Sequence, residues 1–338
     1  MRAWELRGDG LDTLTLAERA SPRPGPGQVR VRMRAASLNY RDLLVASGQY
    51  ARGGPPKRPL VPLSDGAGEV VELGPGVTDL RLGDRVMGSF FQRWIDGPFA
   101  PDLAASALGG GSQDGVLAEE VVLNADAALR FPAHLSFEEA ATLPCAGVTA
   151  WVGLFVLGRL APAEWVLAMG TGGVSLFALQ FAKAAGAKVL LTSSDDGKLA
   201  RARALGADAT VNYRKTPAWD EAARALTGGR GVDRILEVGG AATLPLSLRA
   251  VRPGGHVTLT GLLGGARGEV GTAEKLAPGV RVDSVFVGSA RHLGALADDV
   301  ARERLRPVID RVFPFEQARE AYDHLQSGAH FGKIVVAI

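Results

Sequence analysis

The stretch 166-VLAMGTGGVSLFALQFAKAAG-186 decides the fold of this chain. It begins as an apolar strand, places three glycines within four positions, and continues as an alanine-rich helical pattern. Gly170 would permit a tight turn, and Gly172 would let a ligand approach the backbone. The amide groups at the start of the helix would then face phosphate groups, assisted by the helix dipole. This order of strand, glycine turn and helix predicts a dinucleotide-binding unit.

The pattern around this turn supports the same prediction. Its spacing is G-x-G-x-x-S, with Ser175 where a dinucleotide fingerprint often has a third glycine. Strand and helix patterns then alternate through KVLLTS, KLARARALGA, ATVNY, WDEAARALTG, DRILEVGG and HVTLTG. Such alternation predicts a parallel sheet wrapped by helices. A tight turn without a ligand is the alternative, and it is disfavoured because three glycines cost backbone entropy that packing alone rarely requires.

The segments before and after this region differ from it in character. Four β segments with alternating or turn-bounded patterns predict an antiparallel, barrel-like domain: 28–39, 66–77, 80–88 and 115–124. Residues 97–115 are rich in Gly, Pro and small side chains and predict a surface loop or lid. Two helical patterns, around 294–304 and 315–328, precede a closing strand at 333–338. We expect that strand to return to the first domain.

Composition and charge limit the class of protein. A chain of 338 residues predicts two domains, and 46% hydrophobic with 22% charged residues is ordinary for a globular protein. The net charge of +2 is spread along the chain, which argues against a nucleic-acid or membrane partner. No signal peptide and no apolar run of membrane-spanning length is visible. With Cys145 as the one cysteine, we expect a reducing, cytoplasmic location.

The identity of the nucleotide depends on the end of the second strand, 187-AKVLLTSS-194. An NAD site would place an acidic residue about 20 residues past the fingerprint, and that position holds Ser193. A hydroxyl group leaves room for a 2′-phosphate, which Lys198, Tyr213 and Arg214 could contact. This favours NADP. Asp195 and Asp196 keep NAD open as an alternative, and a solvated helix face is the alternative role for Lys198.

Seven stretches resemble the medium-chain dehydrogenase/reductase superfamily, which includes zinc alcohol dehydrogenases and quinone oxidoreductases. They are SLNYRDLLVASGQY, PLVPLSDGAGEVVELGPGV, LRLGDRV, LPCAGVTAW, GTGGVSLFALQFAKAAGA, ARALGADATVNYR and HFGKIVV. The resemblance implies an α/β fold in which residues 1–146 and 289–338 form a split GroES-like β-barrel catalytic domain. Residues 147–288 would form a Rossmann domain with a doubly wound parallel sheet that binds NADP. It also implies a homodimer joined through the Rossmann sheets.

The chain departs from the zinc-binding members at their ligand positions. Those members use a cysteine in a GxCxxD stretch, a His-Glu pair in a GHEGAG stretch and a second cysteine. Here Asn39 replaces the first cysteine, and Ser64 and Asp65 replace the His-Glu pair. The cysteine-rich structural zinc lobe is missing, and none of the five histidines falls in a ligand cluster. We therefore predict no zinc.

Without zinc, hydride delivery suits an acceptor that is already electron-poor, such as a quinone, an enone or an enoyl thioester. Negative charge then develops on the acceptor oxygen and requires hydrogen-bond donors, and a proton must be supplied. We predict that Asn39 donates to a carbonyl oxygen and that Tyr40 and Tyr50 serve as substrate contact or proton donor. Solvent is the alternative proton source, because a phenol with a pKa of about 10 is a weak acid.

The predicted cofactor contacts combine the glycine turn, the carboxyl ends of later strands and positions that the resemblance implies. Cys145 is interpreted as a small packed residue beside the nicotinamide rather than a nucleophile. The full set is Cys145, Thr149, Gly170, Thr171, Gly172, Gly173, Val174, Ser193, Ser194, Lys198, Tyr213, Glu237, Gly239, Thr260, Gly261, Leu262, Phe331 and Lys333.

Three hypotheses of function follow from these residues. The first is a metal-free, NADPH-dependent oxidoreductase that transfers hydride to a small electrophilic quinone or enone. The second is an alcohol or carbonyl dehydrogenase. The third is a non-catalytic NADPH-binding sensor or structural protein, against which the tyrosines and the intact nicotinamide edge argue.

Overall fold

The computed structural model describes residues 1–50, 59–110, 112–261, 263, 265 and 278–338. Within these ranges the chain forms two compact units. Unit 1 contains Met1–Val148 and Val287–Ile338, and unit 2 contains Thr149–Phe286.

The strands of the described ranges are numbered in chain order. They are β1 Arg2–Leu6, β2 Leu14–Glu18, β3 Gln28–Ser37, β4 Asp65–Leu73, β5 Arg85–Gly88, β6 Glu120–Asn124, β7 Ala128–Arg130, β8 Trp165–Met169, β9 Lys188–Ser193, β10 Ala209–Asn212, β11 Val232–Glu237, β12 Val251–Leu259, β13 Arg281–Ser284, β14 Ile309–Pro314 and β15 Lys333–Ala337.

The helices are numbered in the same way. They are α1 Tyr40–Ala46, α2 Phe137–Ala140, α3 Val148–Trp151, α4 Gly173–Ala184, α5 Asp196–Ala204, α6 Trp219–Leu226, α7 Leu244–Ala250, α8 Ala290–Glu303 and α9 Ala318–Ser327. Two π-helical turns, Leu143–Gly147 and Val152–Leu157, continue α2 and α3. Contrary to the expectation that no apolar run of this length occurs, the segment Phe137–Leu157 is long and apolar enough to cross a membrane; 72% of its apolar window is buried inside the protein, as in a core helix.

Unit 1 is built on a seven-stranded sheet with the order β14-β15-β3-β4-β5-β7, in which β6 also pairs with β3. Along β3 the side chains alternate, so Val29, Val31 and Met33 are buried while the arginines point outward. Arg30 pairs with Glu72 and Glu120 on the two neighbouring strands. Each buried aliphatic side chain of this kind contributes about 1.5–3 kcal/mol to folding.

The final strand completes this sheet. Strand β15 runs parallel to β14 and antiparallel to β3, with Val335 opposite Ser37. Its residues Ile334, Val335 and Val336 are fully buried, so it is a core strand with partners on both sides. This pairing brings the end of β15 that carries Lys333 next to the loop before α1.

Unit 2 contains a six-stranded parallel sheet with the order β10-β9-β8-β11-β12-β13. In the numbering of the unit itself this is 3-2-1-4-5-6, the order of a doubly wound sheet whose ligands bind outside the carboxyl ends of the strands. Strands β8, β9 and β11 are almost entirely buried, as expected of parallel strands covered on both faces. The predicted α/β class and parallel sheet are confirmed.

One segment corrects the sequence prediction. Residues 97–115 were expected to form a surface loop or lid; 97–105 and 112–114 are exposed or half-buried as expected, whereas 106–110 are buried. The backbone explains this, because the Leu108 carbonyl accepts a hydrogen bond from the guanidinium of Arg41 at 2.9 Å. Gly109 has a φ of 59° and a Cβ there would lie 2.5 Å from the Leu63 carbonyl oxygen. The small residues at 106–110 therefore permit tight packing.

Candidate active site

In the glycine turn of unit 2, the backbone conformation requires glycine at position 170 but not at position 172. Gly170 has a φ of 77°, which strongly favours glycine, and its N–H donates to the Thr192 carbonyl at 2.8 Å. Gly172 precedes α4 with an ordinary φ of −78°, and a Cβ there would meet no atom within 4 Å. Neither backbone strain nor packing explains this glycine, so close approach of a ligand is the fitting explanation.

The first turn of α4 supports the same interpretation. No side chain caps its N-terminus, and Gly173 and Val174 begin the helix. The N–H groups of such a turn lack helical acceptors and favour an anion. Ser175 takes the place of a third glycine, and its hydroxyl donates to the Met169 carbonyl at 2.5 Å in the protein interior. That bond ties the helix to the end of β8, so the departure from the fingerprint leaves the turn intact.

At the end of β9, Ser193 is buried and Ser194 is partly exposed. The carboxylates of the two acidic residues that follow accept hydrogen bonds from other groups of the protein. Asp195 caps α5 by accepting from the Lys198 N–H at 2.8 Å. Asp196 accepts from Asn212 at 2.7 Å and from the Lys215 ammonium at 2.5 Å. Tyr213 is 42% exposed beside this strand end.

The carboxyl ends of β11 and β12 lie along the same edge of the sheet. Glu237 is fully buried, and its carboxylate accepts from the N–H groups of Gly239 and Gly240 and from the hydroxyls of Thr243 and Ser247. These bonds hold the turn that follows β11, so any cofactor contact in this turn involves backbone groups rather than that carboxylate. The predicted contacts Thr260 and Gly261 follow β12 on the same edge.

The remaining predicted residues of unit 2 have varied surroundings. Thr171 is buried within the glycine turn, and Thr149 is buried at the start of the unit. Leu262 lies outside the described residues. The structure therefore brings the ends of four strands together at one edge of the unit 2 sheet, and it places Cys145, Phe331 and Lys333 in unit 1.

In unit 1 a second group of residues forms what we name the buried polar cluster. Its members are Arg41, Asp42, Asp65 and Lys333, which are buried, and Asn39 and Cys145, which are half-buried. Four elements supply them: the N-cap and first turn of α1, the start of β4, the start of β15 and the π-helical turn that contains Cys145. The cluster thus depends on the pairing of β3 with β4 and β15.

The side chains of Lys333 and Asn39 form a hydrogen bond. The Lys333 ammonium is buried and donates to the Leu38 carbonyl at 2.5 Å and to Asn39 Oδ1 at 2.7 Å. Burial lowers the pKa of Lys333, and the nearby Asp65 carboxylate opposes this shift. The Asn39 Nδ2 atom is buried and has no hydrogen-bond partner of ordinary geometry among the described residues, although the amide lies close enough to Asp65 to lower its pKa.

Asp65 is held by the polypeptide around it. It accepts from the Ser64 hydroxyl at 2.8 Å and from the Cys145 N–H at 3.1 Å. Burial raises the pKa of Asp65, and Lys333 opposes this. The Cys145 thiol also has a raised pKa, because burial and the Asp65 charge both disfavour the thiolate. This supports the prediction that Cys145 is a packed residue rather than a nucleophile.

Asp42 has a different set of neighbours. Its Oδ2 accepts from the Asn39 N–H at 2.7 Å, which caps the first turn of α1, and its Oδ1 lies 3.6 Å from the Arg41 guanidinium. The Arg41 guanidinium is itself packed against the rings of Tyr50 and Phe90, each 4.7 Å away. Burial raises the pKa of Asp42 to about 6, although Arg41 and the Asn39 N–H act in the opposite direction.

The two tyrosines predicted for catalysis lie on different faces of the α1 region. Tyr50 packs on Arg41 and against the core of unit 1. Tyr40 is 47% exposed and lines a surface groove of about 470 Å³ with Leu43, Leu44 and Arg319. The structure therefore brings Tyr50, but not Tyr40, near the buried polar cluster. Phe331 is buried, and its N–H donates to Asp310 at 3.0 Å.

The donor set of this cluster does not fit zinc. Zinc requires thiolate, imidazole or carboxylate ligands in a tetrahedron. Here the carboxylate of Asp65 is engaged by neighbouring donors, the Cys145 thiol resists ionisation, and a lysine ammonium already lies in the cluster. Throughout the ranges that the structure describes, no group of three or more His, Cys, Asp or Glu residues could hold a metal.

Sequence reasoning did not identify the partners within the cluster. Asp42 is the third residue of α1, and its carboxylate accepts from the N–H of the N-cap residue Asn39 in a capping box. The contact between Lys333 and Asn39 spans 294 positions, and no local pattern encodes it. The sequence did contain one signal for this cluster, namely acidic and basic residues within otherwise apolar segments. Such residues indicate partners in the fold, because a buried charge requires one.

Comparison with known proteins identifies both units. Residues 25–133 match the family model of the alcohol dehydrogenase GroES-like domain, and residues 173–302 match that of the zinc-binding dehydrogenase. These matches confirm the predicted GroES-like domain and Rossmann domain.

The similarity to individual proteins extends over nearly the whole chain. The zinc-type alcohol dehydrogenase-like protein C1773.06c of Schizosaccharomyces pombe is 42% identical, over 97% of this chain and 96% of that protein. The crystal structure of an NAD-dependent alcohol dehydrogenase is 35% identical with a TM-score of 0.90, covering 100% of both chains. A quinone oxidoreductase from Coxiella burnetii is 26% identical with a TM-score of 0.80, covering 100% of this chain and 99% of that one. The chain belongs to the medium-chain dehydrogenase/reductase superfamily and is an oxidoreductase of its alcohol dehydrogenase-like type.

Proposed function

We propose that the chain is a zinc-independent, NADPH-dependent reductase of quinones or activated C=C bonds. The observation that carries this proposal is the buried Asn39 amide, whose Nδ2 atom has no acceptor of ordinary geometry in the described part of unit 1. A buried donor without an acceptor costs free energy. A ligand oxygen that accepts from Nδ2 would remove that cost and would be stabilised as it gained negative charge.

The preference for NADPH is supported by the end of β9. Asp195 and Asp196, the acids that an NAD site would use, are already occupied as a helix cap and as a partner of Lys215 and Asn212. Ser193 and Ser194 place hydroxyl groups rather than carboxylates at the end of β9, where an NAD site would have an acidic residue. The NAD-dependent relative keeps NADH as the alternative to be tested.

Separate residues of the chain would bind the cofactor, hold the acceptor and supply the proton. The Gly170–Val174 turn would hold the pyrophosphate through backbone N–H groups, and Lys198 and Tyr213 would contact the 2′-phosphate. When bound, the nicotinamide supplies hydride. Asn39 would hold the acceptor oxygen, and Tyr50 or solvent would supply the proton.

The test begins with fluorescence titration of NADPH and NADH and with metal analysis of the same sample. NADPH oxidation is then followed with p-benzoquinone, cyclohexenone and the saturated ketone cyclohexanone, before and after dialysis against EDTA. Turnover of the quinone or the enone that survives EDTA supports the proposal. Turnover of cyclohexanone alone, or activity lost with the metal, would favour a carbonyl dehydrogenase, and tight NADPH binding without any turnover would favour a sensor.

A matched pair of variants tests the role of Asn39. Asn39→Ala is expected to lower kcat/KM for the acceptor about 100-fold, the effect typical of removing one such donor, while the Kd for NADPH stays the same. Asn124→Ala is the control, because its amide bonds to Gln92 elsewhere in unit 1. Equal activity of the two variants would show that Asn39 does not contact the acceptor.

A further inference from the structure

Lys333 carries its ammonium group in a buried position, where a charge is energetically unfavourable. Its side chain is 3% exposed, and its ammonium has two acceptors, the Leu38 carbonyl and Asn39 Oδ1. The carboxylates of Asp65 and Asp42 are close enough to stabilise it electrostatically. A lysine is rarely buried this deeply unless it has partners. The cost of burial therefore points to a role beyond filling space at the start of β15.

The chemistry of the two groups fixes the orientation of Asn39. An ammonium can only donate hydrogen bonds, whereas a side-chain amide has one accepting oxygen and one donating nitrogen. With Lys333 Nζ 2.7 Å from Oδ1, rotation of the amide by half a turn would set two donors against each other. The oxygen must face the lysine, and Nδ2 must face away from it.

In this orientation the Nδ2 hydrogens are donors that face away from Lys333, and Arg41 Nε and Nη2 are two further buried donors of the cluster without a hydrogen-bond partner among the described residues. Nδ2 is buried beside the Asp65 carboxyl, and within the described ranges neither this group nor another acceptor meets ordinary hydrogen-bond geometry. We propose that Lys333 is a positioning residue that fixes the Asn39 amide so that its N–H groups are presented to the carbonyl oxygen of the acceptor. The inference deepens the proposed function and rests on it, and it specifies the acceptor as a carbonyl compound, either a quinone or an α,β-unsaturated ketone or thioester.

A double-mutant cycle tests whether Lys333 acts through Asn39. Lys333→Met is expected to lower kcat/KM for cyclohexenone or benzoquinone by about 10- to 100-fold, because the amide can then rotate away. Adding Lys333→Met to Asn39→Ala is expected to cost no further activity. If the two losses multiply instead, Lys333 acts independently of Asn39 and the inference is overturned.

A spectroscopic readout separates this inference from the proposed function. In ¹⁵N-labelled protein the Asn39 side-chain N–H pair is assigned by its absence in Asn39→Ala. We expect this pair to shift and broaden in Lys333→Met, because the fixed orientation is lost. A changed signal with a wild-type protein that turns over no acceptor would refute the proposed function while the positioning role stands. An unchanged signal would refute the positioning role, whatever the activity.

Two further variants control the experiment. Lys188→Met removes an exposed lysine on β9 that packs over Trp165, and it should leave both activity and the Asn39 signal unchanged. If Lys333→Met does not fold, Lys333→Gln replaces it in the cycle, because its amide is one bond too short to reach Asn39 Oδ1 but remains polar. The same loss of activity and the same change of signal are expected. Wild-type behaviour of Lys333→Gln would contradict the inference.

Discussion

Replacing Asp42 by asparagine provides a direct measure of the charge balance inside unit 1. Asp42 is 0% exposed, and burial raises its pKa from 3.8 to about 6. The native carboxyl group therefore keeps its proton to a higher pH than the unfolded chain does. Because the native state binds more protons between these two values, the contribution of Asp42 to stability is largest below about pH 4 and is lost as the pH rises through about 6.

The expected size follows from the shift itself. A rise of about two pKa units corresponds to about 3 kcal/mol of destabilisation once the native carboxylate is fully ionised near neutral pH. Asparagine is neutral at every pH and can still accept the hydrogen bond from the Asn39 N–H. Asp42→Asn should therefore be about 1–3 kcal/mol more stable than the wild type near pH 7, the lower value allowing for an amide NH2 group that would replace Oδ1 and face the Arg41 guanidinium.

Urea denaturation of both proteins between about pH 5 and pH 7 is the assay. The stability difference should increase by about 1 kcal/mol over this interval, because ionisation of wild-type Asp42 progresses through it. Asp126→Asn, at an exposed position of unit 1, is the control and should give a flat difference. A difference that decreases with rising pH would refute the reasoning, since it would mean that Arg41 holds the pKa of Asp42 below its usual value.

Three other predictions concern the cofactor site of unit 2 and the buried polar cluster of unit 1. Gly172→Ala should leave the unfolding temperature unchanged within about 2 °C, because its Cβ meets no protein atom, but raise the Kd for NADPH at least about tenfold; equal affinity would show that no ligand approaches this backbone. Lys198→Ala should raise KM for NADPH about tenfold and leave KM for NADH unchanged, and an equal change for both cofactors would remove Lys198 from the 2′-phosphate site. Because burial raises the pKa of the Cys145 thiol, the native protein should react with a thiol reagent about 100-fold more slowly than the protein in urea near pH 8, and equal rates would contradict that burial.

Local patterns in the sequence were sufficient to predict most of unit 2. Strand β8, the glycine turn and helix α4 follow one another within twenty residues, and each has its own periodicity or turn chemistry. Element ends were less exact. The predicted helix at 294–304 begins at Ala290, where Ser289 caps it by accepting from the His292 N–H. A serine three residues before a histidine is a weaker signal than a Ser-x-x-Glu capping box.

The buried polar cluster could be predicted only in part. Asn39 was recognised because its position corresponds to a family ligand, and Lys333 was assigned to the cofactor for a similar reason. Their mutual contact depends on β15 pairing with β3, which is a tertiary choice that alternation within either strand does not determine. Tyr40 and Tyr50 look equivalent in sequence, but the helical register of α1 sends Tyr40 to the surface groove.

The order of segments within unit 1 has a consequence for how the protein folds during synthesis. Unit 2 is continuous in sequence, so all of its strands are available once residue 286 has been made. Unit 1 must wait for β14 and β15, and until then the edge of β3 near Ser37 lacks its partner. An unpaired edge of this kind favours association with other chains. The high sequence separation of these contacts predicts slow completion of unit 1 and a nascent chain that depends on chaperones before its active site exists.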